Sequence, residues 1–186
     1  MIGFAMCGSY CTHKRSLEQL RALIADGYEV LPIVSENVYS TDTRFGKASE
    51  LYSELYRLCG REPIHTIHDA EPLGPKIRLE TLIICPCTGN TLAKMAEGIT
   101  DTAVTMAAKA HLRGNGRLVL ALASNDALSA NLKNISVMLN RKNVYFLPME
   151  QDDPQSKPHS LVAKFELLRP TLAAAEKGIQ YRKLFI

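Results

Sequence analysis

Small polar residues that can bind a ligand cluster in three short segments of this chain. The first is Gly8-Ser9, which follows an apolar run and precedes a helical pattern. A glycine at such a point lets the backbone approach a ligand, and free amides at a helix start favour an anion. The segment is neither a GxGxxG fingerprint nor a Walker loop, so it predicts an anion-binding turn and no particular nucleotide.

The second segment is Pro86-Cys87-Thr88-Gly89-Asn90-Thr91, which also stands between an apolar run and a helical pattern. The hydroxyls of Thr88 and Thr91, the Asn90 amide and the backbone N–H groups offer partners for a phosphate or a ring edge. Capping of the following helix would explain one such residue. A succession of them that includes Gly89 favours a ligand site.

The third segment is Ser124-Asn125-Asp126, at the end of another apolar run. Each of these residue types caps helices, so capping is the alternative to ligand binding here as well. A carboxylate at Asp126 would repel a phosphate. Asp126 is therefore assigned either to capping or to substrate chemistry.

Further candidates lie beside these segments. His13 is placed to transfer a proton, so His13 and Asp126 are the two candidate catalytic residues. Lys14 and Arg15 follow the first segment, where cations can pair with substrate carboxylates; solvated helix positions are the alternative. The acidic loop 151–154 would repel a dicarboxylate, and we expect it and the basic tail 181–185 to contact a partner.

Composition excludes several classes of protein. The chain has 22 Lys and Arg against 19 Asp and Glu. It contains no run of five like charges, so no basic arm for nucleic acid is indicated. An odd number of cysteines, five, without a secretory signal predicts reduced thiols, and the absence of CxxC spacing predicts no metal. The longest apolar run is too short to span a membrane, and the first residues lack a signal-peptide pattern, so we expect a cytoplasmic protein.

The elements that must position these residues alternate along the chain. Apolar runs predict strands at 1–7, 28–34, 64–67, 81–85, 118–123 and 143–148. Helical spacing predicts helices at 14–26, 46–59, 90–98, 102–113, 127–141 and 160–177. Strands that are apolar throughout indicate a parallel sheet covered on both faces, whose ligands bind beyond the carboxyl ends of the strands. We therefore predict one α/β domain over 1–186, a three-layer, doubly wound, Rossmann-like or flavodoxin-like sandwich of about six strands.

Two stretches resemble the flavoprotein superfamily, which includes flavin-containing cysteine decarboxylases and flavin prenyltransferases. Residues 6–30 resemble its opening pattern of a strand, Gly-Ser, a spacer with a lysine, a leucine-rich helix and Gly-Tyr-Glu-Val. Residues 86–110 resemble its second signature, Pro-Ala-Ser-Ala-Asn-Thr with a following Gly-x-x-Asp. Of the third signature, Pro-Ala-Met-Asn, only Asn125 clearly remains.

Residues 124–163 are similar, nearly end to end, to the family of dipicolinate synthase B subunits. The superfamily resemblance implies FMN in a cleft between protomers of a trimer or of several trimers. It implies phosphate contacts at Gly8, Ser9 and Ser35. Thr88, Gly89, Asn90, Thr91, Ser124 and Asn125 complete the implied cofactor site.

The resemblance to dipicolinate synthase B subunits implies a function. Dipicolinate synthases oxidise dihydrodipicolinate, or its hydrated precursor, to dipicolinate with NADP during sporulation. An A subunit is expected to hold the NADP, since this chain has no GxGxxG, and we expect no activity from this chain alone. The alternatives are a stand-alone FMN-binding decarboxylase or prenyltransferase, and a non-catalytic stabilising subunit with a vestigial flavin cleft. Cysteine decarboxylases place a histidine where residues 71–75 stand, and none occurs there.

Overall fold

A seven-stranded sheet with helices on both faces forms the framework of the molecule. The computed structural model describes residues 1–181 and 184–186. The strands are β1 (Ile2–Met6), β2 (Val30–Val34), β3 (Thr81–Thr88), β4 (Arg117–Ser124), β5 (Val144–Phe146), β6 (Met149–Glu150) and β7 (Leu161–Ala163). The helices are α1 (His13–Ala25), α2 (Glu36–Ser40), α3 (Ala48–Cys59), α4 (Ile67–Ala70), α5 (Gly89–Glu97), α6 (Ala103–Arg113), α7 (Leu132–Leu139) and α8 (Leu168–Glu176). Single 3-10 turns cover Tyr10–Thr12 and Phe165–Leu167.

The sheet has a parallel centre and a short antiparallel edge. Strands β2, β1, β3 and β4 lie side by side and run parallel. Strand β5 pairs in parallel with β4 at Leu118–Leu120. Strand β7 pairs antiparallel with the end of β4, at Ala123 and Ser124, and β6 pairs antiparallel with β7. All four central strands therefore end at the same edge of the sheet.

The apolar strands contribute to two cores, one on each face of the sheet. Leu20 of α1 and Leu172 of α8 pack on one face, with the buried side of α3. Leu92 of α5 and Met138 of α7 pack on the other, together with α4 and α6. Burial of both faces explains why β1 and β2 are apolar at every position. The predicted fold class, an α/β three-layer sandwich, is confirmed.

The strand predicted at 64–67 is wrong. Ile64 makes only an isolated bridge to Ile33, and α4 begins three residues later. Thr66 starts this helix, because its hydroxyl accepts a hydrogen bond from the backbone N–H of Asp69 at 3.1 Å. A capping side chain has here outweighed the local preference of an isoleucine-rich segment for a strand.

Two helix predictions in the last third of the chain begin too early. The helix predicted from 127 begins at Leu132, because Asp126 accepts backbone hydrogen bonds from Ser129 and Asn131 within a turn. The helix predicted from 160 begins at Leu168, because β7 occupies the preceding residues. As β7 pairs with the end of β4, the loop 151–160 lies near the carboxyl ends of the strands.

Three further predictions concern membranes, metals and the tail. No helix in the described part of the chain has the length and apolar character needed to cross a bilayer. Among residues 1–181 and 184–186, no group of three or more His, Cys, Asp or Glu side chains is arranged to hold a metal ion. Of the predicted basic tail, Arg182 and Lys183 lie outside the described residues.

Candidate functional site

A cleft of about 580 Å³ opens where β1, β3 and β4 end. It brings together most of the residues that the three polar segments contribute. Its lining comprises Gly8, Ser9, Tyr10, Cys11, Thr12, Arg44, Phe45, Thr88, Gly89, Asn90, Ala123, Ser124, Asn125, Asp126, Asp152, Lys157, Ser160 and Val162. Polar groups from distant segments of the chain therefore meet at the edge where parallel α/β sheets bind ligands.

The turn after β1 leaves its backbone open to the cleft. The atoms nearest to a Cβ on Gly8 would belong to the Tyr10 side chain, at 3.5 Å or more, so packing alone does not demand a glycine there. The Tyr10 hydroxyl donates to the carbonyl of Asn37 at 2.9 Å, which holds the tyrosine against α2. Thr12 donates to the Ser9 carbonyl at 2.7 Å and fixes the turn. The Ser9 side chain does not cap the 3-10 turn that follows it.

The junction between β3 and α5 serves both the helix and the cleft. Thr88 caps α5, since its hydroxyl accepts the backbone N–H of Thr91 at 3.2 Å. The Thr88 hydroxyl donates to that of Thr91, which in turn donates to the Cys7 sulfur at 3.3 Å. Thr91 is therefore buried and turned away from the cleft, whereas Asn90 is exposed and lines it. Helix capping explains why position 88 is a threonine, but it does not explain the exposed asparagine at position 90.

Gly89 packs tightly against the turn after β4. A Cβ atom at this position would lie 2.3 Å from the Ser124 hydroxyl and 2.6 Å from the Asn131 amide nitrogen. Both of these groups donate hydrogen bonds to the carboxylate of Asp126. The glycine is needed because this polar cluster occupies the space of a side chain. Asn125, next to Asp126 in the same turn, is exposed and lines the cleft.

Asp126 remains ionised in this arrangement. The hydrogen bond from Ser124 lowers its pKa most, burial opposes that effect, and Asn131 adds to the lowering. A carboxylate with a lowered pKa is a poor proton acceptor near neutral pH, so the geometry fits orientation of a group better than general base chemistry. Asn134 donates to Asn131 at 2.9 Å and extends the cluster into α7.

Besides Thr91, four predicted site residues do not line this cleft. Ser35 is buried at the start of α2, where its backbone N–H donates to the Met6 carbonyl at 3.0 Å. His13 and Lys14 line a neighbouring cleft of about 560 Å³. Arg15 pairs with Glu166 at 3.4 Å. Its guanidinium also lies 4.7 Å from the centre of the Phe165 ring, away from the strand ends.

The imidazole of His13 is held by the backbone. Its Nε2 lies 2.8 Å from the Cys7 carbonyl, which accepts the hydrogen bond. Burial lowers the pKa of His13, and the bond to Cys7 partly opposes this shift. His13 is therefore neutral near pH 7, with one ring nitrogen committed to structure.

Sequence reasoning missed the residues that frame the outer part of the cleft. Arg44 and Phe45 follow α2, while Asp152, Lys157 and Ser160 belong to the loop between β6 and β7. These segments carry no motif, and only the pairing of β7 with β4 brings the second of them to the site. Lys157 donates to Asp152 at 3.0 Å. Burial disfavours the charged form of Asp152, but Ser160 and Lys157 together lower its pKa.

The buried thiols of Cys7 and Cys87 are inert. Cys7 is fully buried, and burial raises its pKa to about 11 although the Thr91 hydroxyl bonds to its sulfur. Burial also raises the pKa of Cys87 well above the ordinary value. Because the thiolate is the reactive form, neither residue is a nucleophile at neutral pH. Cys11, in contrast, is exposed and lines the cleft.

A mainly parallel sheet covered by helices on both faces, with a polar cleft at its strand ends, places the protein in the Rossmann-like α/β class. Residues 1–161 match the model of the Flavoprotein family, and the chain belongs to that family. It is similar to the B subunit of dipicolinate synthase from Bacillus subtilis (strain 168), with 44% identity over 183 residues. That alignment covers 98% of this chain and 90% of the relative.

Solved structures agree with this relationship. The dipicolinate synthase B subunit from Bacillus halodurans C superposes with a TM-score of 0.91 at 41% identity, covering 100% of this chain and 95% of that one. AnUbiX, solved in complex with FMN and dimethylallyl pyrophosphate, superposes with a TM-score of 0.61 at 23% identity. The second alignment covers 79% of this chain and 76% of the other, and it shows a shared fold.

Proposed function

We propose that this chain is the B component of a dipicolinate synthase. In this role it binds FMN at the strand-end cleft and, with an A subunit that holds NADP, oxidises dihydrodipicolinate or its hydrated precursor to dipicolinate during sporulation. The observation that carries the proposal is 44% identity, extending over 98% of the chain, to a protein of that name. We further propose that residues 1–186 form one domain, that the chain assembles as a trimer or a multiple of trimers, and that it works in the cytoplasm.

The residues of the cleft fit a flavin phosphate and its sugar chain. Polar side chains of Ser9, Asn90 and Asn125 line it from segments that follow three strands, and Asn90 lies in the first turn of α5. Helix N-termini favour anions, and the volume of about 580 Å³ lies within the range of small-molecule sites. A bound FMN would supply two-electron redox chemistry. The neighbouring carboxylate of Asp126 is restrained by Ser124 and Asn131, and it is best suited to orient a polar edge of the ligand.

The need for a partner follows from the chemistry of the oxidation. Formation of an aromatic ring from a dihydropyridine releases a hydride equivalent, which requires an acceptor. The chain has no GxGxxG fingerprint with which to bind NADP. The A subunit is therefore proposed to hold the dinucleotide, and the cleft described above either relays electrons through FMN or shapes the shared site.

Equilibrium dialysis with FMN tests the cofactor site. We expect the wild type to bind at micromolar concentrations, and Ser9→Asp and Asn90→Leu to weaken binding at least ~10-fold through charge repulsion and loss of a donor. Ser53→Asp, on the exposed side of α3, is the matched control and should bind as the wild type does. Equal binding by all four proteins would place the flavin elsewhere.

A coupled assay tests the dependence on a partner. The A subunit, alone and with this chain, is supplied with dihydrodipicolinate and NADP, and NADPH is followed by absorbance. We expect activity that depends on both chains. Full activity of the A subunit alone would contradict the proposal. Activity of this chain alone would favour a stand-alone enzyme, and support of the A subunit without any FMN binding would identify a stabilising role.

A further inference from the structure

The turn after α2 is fixed by its own hydrogen bonds. The backbone N–H groups of Thr43 and Gly46 each donate to the other residue's carbonyl, at 3.0 and 3.1 Å. The N–H of Phe45 donates to the Thr43 hydroxyl at 3.1 Å. Gly46 has a φ of +146°, which a residue with a side chain rarely adopts. On the far side, the Asp42 carboxylate accepts the N–H of Ala48 at the start of α3.

This turn presents a cation and an aromatic ring to the cleft. Arg44 and Phe45 stand at its tip and both line the cleft. The Arg44 guanidinium lies 4.9 Å from the centre of the Phe45 ring, and Phe45 is 54% exposed. The ring is therefore accessible to a ligand in the cleft. The hydrogen bonds of the turn fix the backbone that carries both side chains.

The other charged side chains of the cleft already have partners. Lys157 is paired with Asp152. Asp126 accepts hydrogen bonds from two neighbours in its own turn. In the part of the chain that the structure describes, Arg44 is the only cation lining the cleft without a carboxylate within 4.0 Å. The cleft thus contains one positive charge that no described residue neutralises.

We infer that Arg44 anchors a carboxylate of the substrate and that Phe45 packs against the same substrate's ring. This inference rests on the proposed function, whose substrate is a six-membered ring with two carboxylates. A guanidinium binds a carboxylate through two parallel hydrogen bonds, and a flat aromatic ring packs against a second flat ring. The pair thereby positions the ring without taking part in the electron transfer. This assignment replaces the expectation that Lys14 and Arg15 pair with substrate carboxylates, because both residues lie outside the cleft.

Calorimetric titration tests the charge requirement. FMN-saturated wild type, Arg44→Gln and Lys47→Gln are titrated with dipicolinate and with its neutral analogue pyridine-2,6-dicarboxamide. We expect Arg44→Gln to weaken dipicolinate binding roughly 10- to 100-fold, the usual effect of losing a charge-assisted contact, and to leave the dicarboxamide unchanged. Lys47 stands near Arg44 in sequence but lines the neighbouring cleft, so Lys47→Gln should behave as the wild type does. Phe45→Leu should weaken both ligands, because the ring contact does not depend on charge.

The FMN affinity of every variant is measured on the same preparations. Normal FMN binding by Arg44→Gln with impaired dipicolinate binding supports the inference. Weakened FMN binding with unchanged dipicolinate binding overturns it and assigns the turn to the cofactor. Absence of dipicolinate binding by the wild type also overturns it, and the coupled assay with the A subunit then decides separately whether the proposed function stands.

Discussion

At the scale of single residues, burial divides the five cysteines into reactive and inert groups. Cys7, Cys85 and Cys87 are fully enclosed, and burial raises the pKa of each. Cys59 is half-buried, and burial raises its pKa to about 11. Cys11 alone among the cysteines is exposed. Their sequence spacing shows nothing of this division, because it depends on which strand or turn each residue occupies.

We predict one rapidly reacting thiol in the native protein. Iodoacetamide at about pH 8 should label Cys11 first, and Cys7, Cys85 and Cys87 only after unfolding, because the thiolate is the species that reacts. Mass spectrometry of peptides assigns the sites, and Cys11→Ser should abolish the fast phase. Rapid labelling of Cys7 in the native state would contradict its burial in the core.

A second prediction at this scale concerns Gly89. An alanine there would place its Cβ 2.3 Å from the Ser124 hydroxyl, so the cluster around Asp126 must move. Overpacking of this kind costs about 1–3 kcal/mol, measurable as a shift of the urea midpoint. Gly114→Ala is the matched control, because its nearest contact is an ordinary 3.5 Å from the His111 carbonyl. Equal stability of the two variants would mean that the turn after β4 yields freely.

At the scale of elements, local signals predicted β1, α1 and β2 better than they predicted the elements after β5. The leucines of α1 recur at helical spacing, and β1 and β2 are apolar throughout, so neighbours in sequence specify these elements. Strand β7 is a short segment that exists because it pairs with the end of β4, far earlier in the chain. No pattern within Leu161–Ala163 contains that information, and the same residues continue into a helical pattern.

The residues of the candidate site likewise include some that the sequence could predict and some that it could not. Gly8, Ser9, Asn90 and Asn125 were predictable because they directly follow strands that end at one edge of the sheet. Arg44 and Lys157 belong to loops whose approach to that edge is set by the path of the whole chain. Lys14 and Arg15 show the converse, since proximity in sequence to the first turn did not bring them into the cleft.

The connection between α6 and β4 leads to a prediction about pH. His111 is buried, and its Nε2 donates to the Arg117 carbonyl at 2.8 Å. A Cβ on Gly116 would come within 2.3 Å of the ring, so the glycine makes room for the imidazole. Burial lowers the pKa of His111 from its ordinary value of 6.5, although the bond to Arg117 opposes the shift.

Because the unfolded chain takes up this proton more readily than the folded one, acid destabilises the fold. The free energy of unfolding should be fully retained above about pH 6.5 and should fall as the pH drops towards the folded pKa of His111. Urea titrations at about pH 7.5 and about pH 5.5 measure the difference, which His111→Gln should reduce. His13, whose pKa is also lowered, accounts for part of the difference in unfolding free energy that remains in His111→Gln. His159→Gln, at an exposed position, should keep the wild-type difference; a similar reduction in this control would contradict the assignment.

At the scale of the whole molecule, a bound cofactor must couple to stability. The cleft is formed by turns after three strands, so a ligand held by all three binds only the folded chain. Such a ligand stabilises the protein by an amount set by its concentration relative to its dissociation constant. This linkage distinguishes a functional flavin site from a vestigial one without any assay of catalysis.

We predict that FMN at ~100 times its dissociation constant raises the free energy of unfolding by about 2.7 kcal/mol. For a chain of this size the melting temperature should rise by roughly 5–10 °C, as followed by circular dichroism. Riboflavin, which lacks the phosphate, should give a smaller rise, because the turns at Ser9 and Asn90 are suited to an anion. Ser9→Asp should lose the FMN effect while melting normally without ligand. If FMN leaves the wild type unchanged and the A subunit still requires this chain, the cleft serves the partner's site and the flavin has been lost.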